Sequence, residues 1–132
     1  MFTKFIRISE SQYDSLIKNA DINSTFIAEI DGNMIKNRDD YLSAIWKTFK
    51  FPQTSHMNFY AYLDWIRDLD WINASQFALV IRNFDNLLEQ SQKDKEIIIN
   101  SLDKTVLPWW ESEIRQYQVE GKPKPFNVYL IE

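Results

Sequence analysis

The sequence predicts an α/β fold, a small parallel β-sheet of about three core strands with helices packed on it. Three observations carry this. Apolar, β-rich runs of strand length recur at residues 25–32, 77–84 and 126–131. The stretches between them place apolar residues at helical spacing. Strands joined by helical crossovers pair naturally in parallel, because each crossover returns the chain to the same end of the sheet.

Each element has its own signal. Residues 2–8, FTKFIRI, have the length of a short strand. SESQYDSLIKNA (9–20) reads as a short helix, with Ser9 as N-cap and Gln12 three residues on completing a capping box. TFIAEIDG (25–32) is a strand ended by a turn at Asp31-Gly32. Over 38–50, Tyr41, Leu42, Ile45, Trp46 and Phe49 repeat at helical spacing, with acids early and lysines late as the helix dipole favours. Phe51-Pro52 breaks that helix and QTSH follows as a loop.

NFYAYLDWIRDLDW (58–71) reads as the next helix, with Phe59, Tyr62, Leu63, Ile66 and Leu69 on its inner side. FALVIRNF (77–84) suits a central strand covered on both faces. A polar connection, DNLLEQSQKD, leads to a helix over 96–107 through Ile97, Ile98, Leu102 and Val106. Pro108 either starts a new helix or kinks this one. Residues 109–121 read as helical and end at Gly121; KPKP is a stiff basic loop, and FNVYLI (126–131) is the last strand. No internal repeat is visible.

A chain of 132 residues suits a single domain able to bury a core without metals or disulfides. Residues 1–24 read as an N-terminal extension ahead of a core at 25–132, where the clearest pattern lies. The net charge of −4 lacks the general basic footprint of direct nucleic-acid binding. The absence of cysteine excludes thiolate metal sites and disulfides. No apolar run approaches membrane-spanning length and the N-terminus lacks a secretory signal, so the expectation is a soluble cytoplasmic protein with no membrane partner.

Few catalytic constellations survive inspection. With one histidine, His56, no two-histidine metal motif exists; with two glycines there is no phosphate-binding loop. No metal or cofactor is expected. Asp64 and Asp68 stand four apart on the outer side of the 58–71 helix, behind Tyr60. Like charges at that spacing repel by a few tenths of a kcal/mol, and Arg67 is the only cation in the stretch. Acid–base work by this pair needs a concave site and pKa values pushed apart; a solvated helix face is the plain alternative. Trp46 and Trp71 read as core. Trp109 and Trp110 are adjacent and point in different directions, so at least one is expected to be partly exposed. The pair is either a second binding edge beside Glu111 and Glu113 or a helix start clamped on the core, and the core reading is preferred.

Taken together, the motifs resemble the barstar-like family of intracellular ribonuclease inhibitors. The resemblance rests on AEIDGNMI (28–35), on Phe49-Lys50-Phe51-Pro52, on Asn58, Ala61 and Asp64 in the following helix, on Asp68-Leu69-Asp70-Trp71, and on the strand FALVIRNF. It covers roughly residues 25–132; residues 1–24 have no counterpart in the short family member.

The resemblance implies an inhibitor and not an enzyme, with a basic ribonuclease or similar toxin as partner, in the manner of an immunity protein or antitoxin. In the family, an aspartate on the helix after F-P occupies the substrate-phosphate site, and that position is Asp64 here. A second family aspartate falls on Tyr60, the loop tyrosine on Thr54 and the loop glycine on His56. Asp68 flanks Asp64, and Trp65 sits at the border of the two helix faces. The competing expectation is a non-inhibitory interaction or regulatory domain of the same fold with a non-nuclease partner, since fold does not fix function.

Overall fold

The computed structural model describes residues 4–19, 24–118 and 121–132. Its strands are β1 (Lys4–Ile8), β2 (Thr25–Asp31), β3 (Gln76–Arg82) and β4 (Phe126–Ile131). Its helices are α1 (Glu10–Asn19), α2 (Arg38–Thr48), α3 (Phe59–Ile66), α4 (Gln92–Asn100) and the short α5 (Ile114–Tyr117). The strands form one parallel sheet in the order β1-β4-β3-β2. The three expected core strands are present, β3 is central and buried, and the N-terminal segment adds a fourth strand along β4.

Strand register sorts the side chains into two faces. Phe5, Val128, Leu79 and Ala28 stand in one row across the sheet; Ile6, Tyr129, Val80 and Glu29 stand in the next. The first row belongs to the large core under α2–α5, and Val80 and Tyr129 of the second belong to a smaller core with Tyr13 of α1. The layout follows from crossover handedness. From β2 to β3 to β4 the chain moves one way across the sheet, whereas β1 to β2 runs back over its full width. Right-handed crossovers in opposite directions must pass on opposite faces, so α1 lies alone on one face and the architecture has three layers.

The N-terminal elements are fastened at the strands' carboxyl ends. The capping box of α1 forms as the sequence predicts, Ser9 N–H donating to Gln12 Oε1 at 2.9 Å and Gln12 N–H to Ser9 Oγ at 3.2 Å. Arg82 reaches Glu10 at 2.9 Å and Glu29 at 3.4 Å and lies over the Tyr13 ring. Arg7 reaches Asp85 at 2.7 Å and Glu132 at 2.5 Å.

Helix α2 ends two residues earlier than the apolar spacing predicts. Phe51 N–H donates to Trp46 O at 3.0 Å and Lys50 N–H to Lys47 O at 3.3 Å, with Lys50 at φ 56. This is a Schellman motif, and its apolar closure is the edge-on contact of Phe51 with Trp46 at 4.9 Å. A lysine holds the left-handed position where glycine carries no steric penalty.

The α2–α3 packing is fixed by a buried chain of hydroxyls. Ser101 Oγ donates to Ile98 O at 2.6 Å. Having one proton, it must accept from Tyr62, 3.0 Å away, and Tyr62 must then accept from Tyr41 at 2.8 Å. Burial pushes the Tyr62 phenol up to about 12, so it stays neutral and keeps the proton this chain needs.

The C-terminal helical region departs most from expectation. It starts at Gln92, four residues before the predicted start, because Ser91 Oγ accepts from Asp94 N–H and caps it. It passes Pro108 without a break, through π-helical turns at Ser101–Val106 and Trp109–Glu113, and ends at Tyr117 instead of Gly121. The wider π turn relieves the proline ring's conflict with the preceding carbonyls.

Two stability measurements follow. Lys50→Gly should raise unfolding free energy by about 0.5–1 kcal/mol, the relief of one left-handed non-glycine residue, read as a higher urea midpoint at unchanged slope. Tyr62→Phe should cost about 1–3 kcal/mol, because Tyr41 is left as a buried donor without an acceptor. Tyr41→Phe should cost less, since Tyr62 still donates to Ser101. Equal losses would contradict the proton order given above.

Candidate functional site

The loop after Pro52 and helix α3 form one continuous surface, and Gln53 organises it. The Gln53 carbonyl accepts from Trp46 Nε1 at 2.7 Å. Its side-chain amide nitrogen donates to Ser55 O and, at 3.3 Å, to His56 O, while its side-chain oxygen accepts from Trp65 Nε1 at 3.1 Å. One residue thus ties the loop to both α2 and α3. The sequence marks Gln53 only as part of the loop QTSH, because a hydrogen-bond hub carries no spacing signature.

His56 turns the loop back with φ 57. The backbone is left-handed here, a conformation glycine adopts without penalty and histidine tolerates better than most other residues. Asn58 N–H donates to His56 O at 2.9 Å, and Asn58 Oδ1 then caps α3 by accepting from Ala61 N–H at 2.9 Å. Thr54 and His56 are both exposed on the loop.

Along α3, Tyr62 and Ile66 are fully buried. Their burial turns Tyr60 and Asp64 outward, Tyr60 82% exposed and the Asp64 side chain 79% exposed. Trp65 is half-buried; besides its bond to Gln53 it packs edge-on against Trp71 at 5.4 Å. Trp46 is buried, as expected; Trp71, expected in the core as well, is only partly buried against it and donates to Phe49 O at 2.9 Å.

The helix is shorter than 58–71. It stops at Ile66, where Asp68 and Leu69 N–H groups both point to Trp65 O, at 3.0 and 3.3 Å, and Leu69 turns left-handed at φ 57 with its side chain buried. Asp64 and Asp68 are therefore not neighbours on one helix face. Asp68 lies in the turn, and its close acidic neighbour is Asp70, whose N–H donates to Asp68 Oδ1 at 3.2 Å. Burial first, then the side-chain contact and charge of the Asp70 carboxyl, hold the Asp68 carboxyl above the usual aspartate range, against the opposing pull of the Asp70 N–H.

Asp64 and Asp68 nonetheless line one cleft, together with Arg67, Trp109, Glu113, Tyr117 and Gln118. It is open, about 460 Å³, and lies between the end of α3 and the C-terminal helical region. Arg67 lies 3.4 Å from Asp64 and 5.4 Å from the centre of the Trp109 ring. Both tryptophans of the adjacent pair are buried, which corrects the expectation that one of them shows. Trp110 is sealed against Phe77 and donates to Ile66 O at 3.0 Å; Trp109 is covered by Tyr117, stacked at 5.8 Å, and by Arg67. Tyr60, Thr54 and His56 stand outside this cleft.

Among the described residues no group of three or more His, Cys, Asp or Glu side chains could hold a metal ion, and no helix is long and apolar enough to cross a membrane. The surface offers carboxylates, an exposed tyrosine and a loop held from behind by Gln53.

No match was found among curated proteins, and none among solved structures. The family model described as Barstar (barnase inhibitor) matches residues 25–130, from the first residue of β2 to the penultimate residue of β4, leaving β1 and α1 outside it. The chain that carries this loop, this capped helix and this outward aspartate belongs to the barstar family.

Proposed function

We propose that this chain is an inhibitor that blocks the cationic active site of a ribonuclease, with Asp64 standing in for a substrate phosphate. The observation that carries the reading is the placement of Asp64. Its carboxylate projects into solvent from a helix whose opposite side is locked into the core, in a chain of the barstar family. An active site built to hold phosphate is cationic, and arginine binds a carboxylate through short, charge-assisted bonds as readily as it binds phosphate. Asp68 and Asp70 add negative potential that steers a basic partner to the face. Tyr60 supplies exposed aromatic area, and tyrosine is a frequent interface anchor. Thr54 and His56 meet the rim of the partner, and Trp65 enters as the support that ties loop to helix. A partner of this kind would be a secreted toxin, held in check in the cytoplasm by its immunity protein.

The test is inhibition and binding across a panel of small basic ribonucleases. Asp64→Ala should weaken binding by several kcal/mol, a hundredfold or more, because a desolvated arginine loses its counter-ion. Melting temperature should be nearly unchanged, since the residue faces out. Unchanged affinity in that variant would remove Asp64 from the role. Failure of the wild-type chain to bind any member would favour a non-nuclease partner.

Acidity gives a second measurement. Cations arriving at the face favour ionised Asp68, so protonating it weakens binding. Asp64, Arg67 and Glu113 share one cleft with Asp68; Asp70, Lys122 and Lys124 share another. Because the Asp68 carboxyl is held above the usual range, affinity should begin to fall at a correspondingly higher pH as the solution is acidified. Asp70→Asn should move that onset down. Titrating both chains against the same ribonuclease between about pH 7 and 4 cancels the partner's own groups; coincident profiles would dismiss the Asp68–Asp70 coupling.

A further inference from the structure

One residue of this face has the wrong sign. Among the described residues, Arg67 is the only cation lining the cleft beside Asp64, with two aspartates and a glutamate around it. It is not a loose surface side chain. Its Nε donates to Leu63 O at 2.9 Å, one Nη lies 3.4 Å from Asp64 Oδ1, and its guanidinium carbon lies over the Trp109 ring at 5.4 Å. Trp109 is itself buried and stacked on Tyr117. A carbonyl, a carboxylate and an aromatic face thus hold the guanidinium in place, and only a third of the side chain is exposed.

We propose that Arg67 is a specificity-determining residue, and that a matching partner carries a carboxylate beside the cation that meets Asp64. The inference rests on the reading of Asp64 given above. When a partner's arginine takes the Asp64 carboxylate, Arg67 loses the anion it holds in the free chain. Asp68 and Glu113 line the same cleft but, among the described residues, make no direct ion pair with it, so the interface covers a charge that has lost its direct counter-ion, which is costly. A uniformly cationic site adds like-charge repulsion to that cost. A partner with an acid next to its cation replaces the lost pair and gains one of its own. Discrimination of this kind needs a repulsive element against wrong partners as well as an attraction for the right one, and Arg67 supplies both at one position.

The experiment measures affinity for the same panel of small basic ribonucleases, sorted by whether a carboxylate stands beside the active-site cations. The chains compared are wild type, Arg67→Gln, Arg67→Lys and Asp64→Ala. Arg67→Gln should weaken binding at least tenfold to members with the carboxylate and strengthen it for members without. Arg67→Lys keeps the charge but gives up the Nε bond to Leu63 and the planar stacking, so it should preserve the wild-type order of the panel. It separates charge from local support of α3, and melting temperatures of all four chains show that they fold. If Arg67→Gln shifts every member alike, or none, while Asp64→Ala still weakens binding, Arg67 is only a brace for the helix end and the inhibitor reading stands without this inference. If Asp64→Ala has no effect, or nothing in the panel binds wild type, both fall.

Discussion

The hydroxyl chain from Tyr41 through Tyr62 to Ser101 is the constraint on which the functional face depends. A short helix such as α3, eight residues long, has little stability of its own. Its rotation about its axis must therefore be set by what it buries. Apolar contacts with Ile66 and Phe59 allow some slip, because dispersion is non-directional. A buried phenol that must accept from one neighbour and donate to another allows very little. With Tyr62 fixed, the positions two residues before and two after it are forced outward, and those are Tyr60 and Asp64. The orientation of the acid is thus decided on the far side of the helix, by groups that never touch a partner.

The sheet is organised by a different constraint, the reversal of direction between β1 and the rest. Because β1 lies at one edge and β2 at the other, α1 must cross the face that α2–α5 leave open. The match to the barstar family begins at residue 25, so strand β1 and helix α1 come from outside the matched region. They lengthen the sheet along β4 and cover Ala78, Val80, Tyr129 and Ile131. Of the ion pairs that fasten them, those of Arg82 lie on the α1 face beside Tyr13, whereas Arg7, in register with Leu130, stands on the face of the large core and lies over Phe84. Surface pairs of this kind contribute little each, and the apolar contact of Tyr13 and its neighbours supplies most of the adhesion.

Much of this was legible in the sequence, and the failures have physical causes. The strands at 25–32, 77–84 and 126–131, their parallel pairing and the inner stripe of α3 were carried by periodicity, the strongest local signal. The Ser9–Gln12 box was readable because capping is local chemistry. Helix ends were read less well. Leu69 satisfied the apolar period and so extended α3 on paper, but in the structure the same residue turns left-handed to reach the core. Apolar burial won over backbone preference, and period alone cannot see that contest. Pro108 was an ambiguous break because π-helical turns depend on tertiary packing. Asp64 and the loop were located through family resemblance and helical facing. The cleft beside them was not, since Trp109, Glu113 and Tyr117 lie more than forty residues away in the chain.

The left-handed residues give the last step of the argument. Among the described residues five non-glycine residues have positive φ, and three of them, Lys50, His56 and Leu69, stand at the entry, the bend and the exit of the loop–α3 segment. Each costs on the order of 1–3 kcal/mol relative to an unstrained residue. Strain persists only where surrounding structure over-determines it, and here the determinants are visible. The Schellman closure of Phe51 on Trp46 holds Lys50, Gln53 and Asn58 hold His56, and the core holds Leu69. The strain is thus the cost of presenting an acid, a tyrosine and a loop on one surface that does not need to rearrange when a partner arrives. A preorganised face of that kind loses less entropy on binding, and under the proposed reading that saving is what lets one helix aspartate and its neighbouring acids compete with a polyanionic substrate.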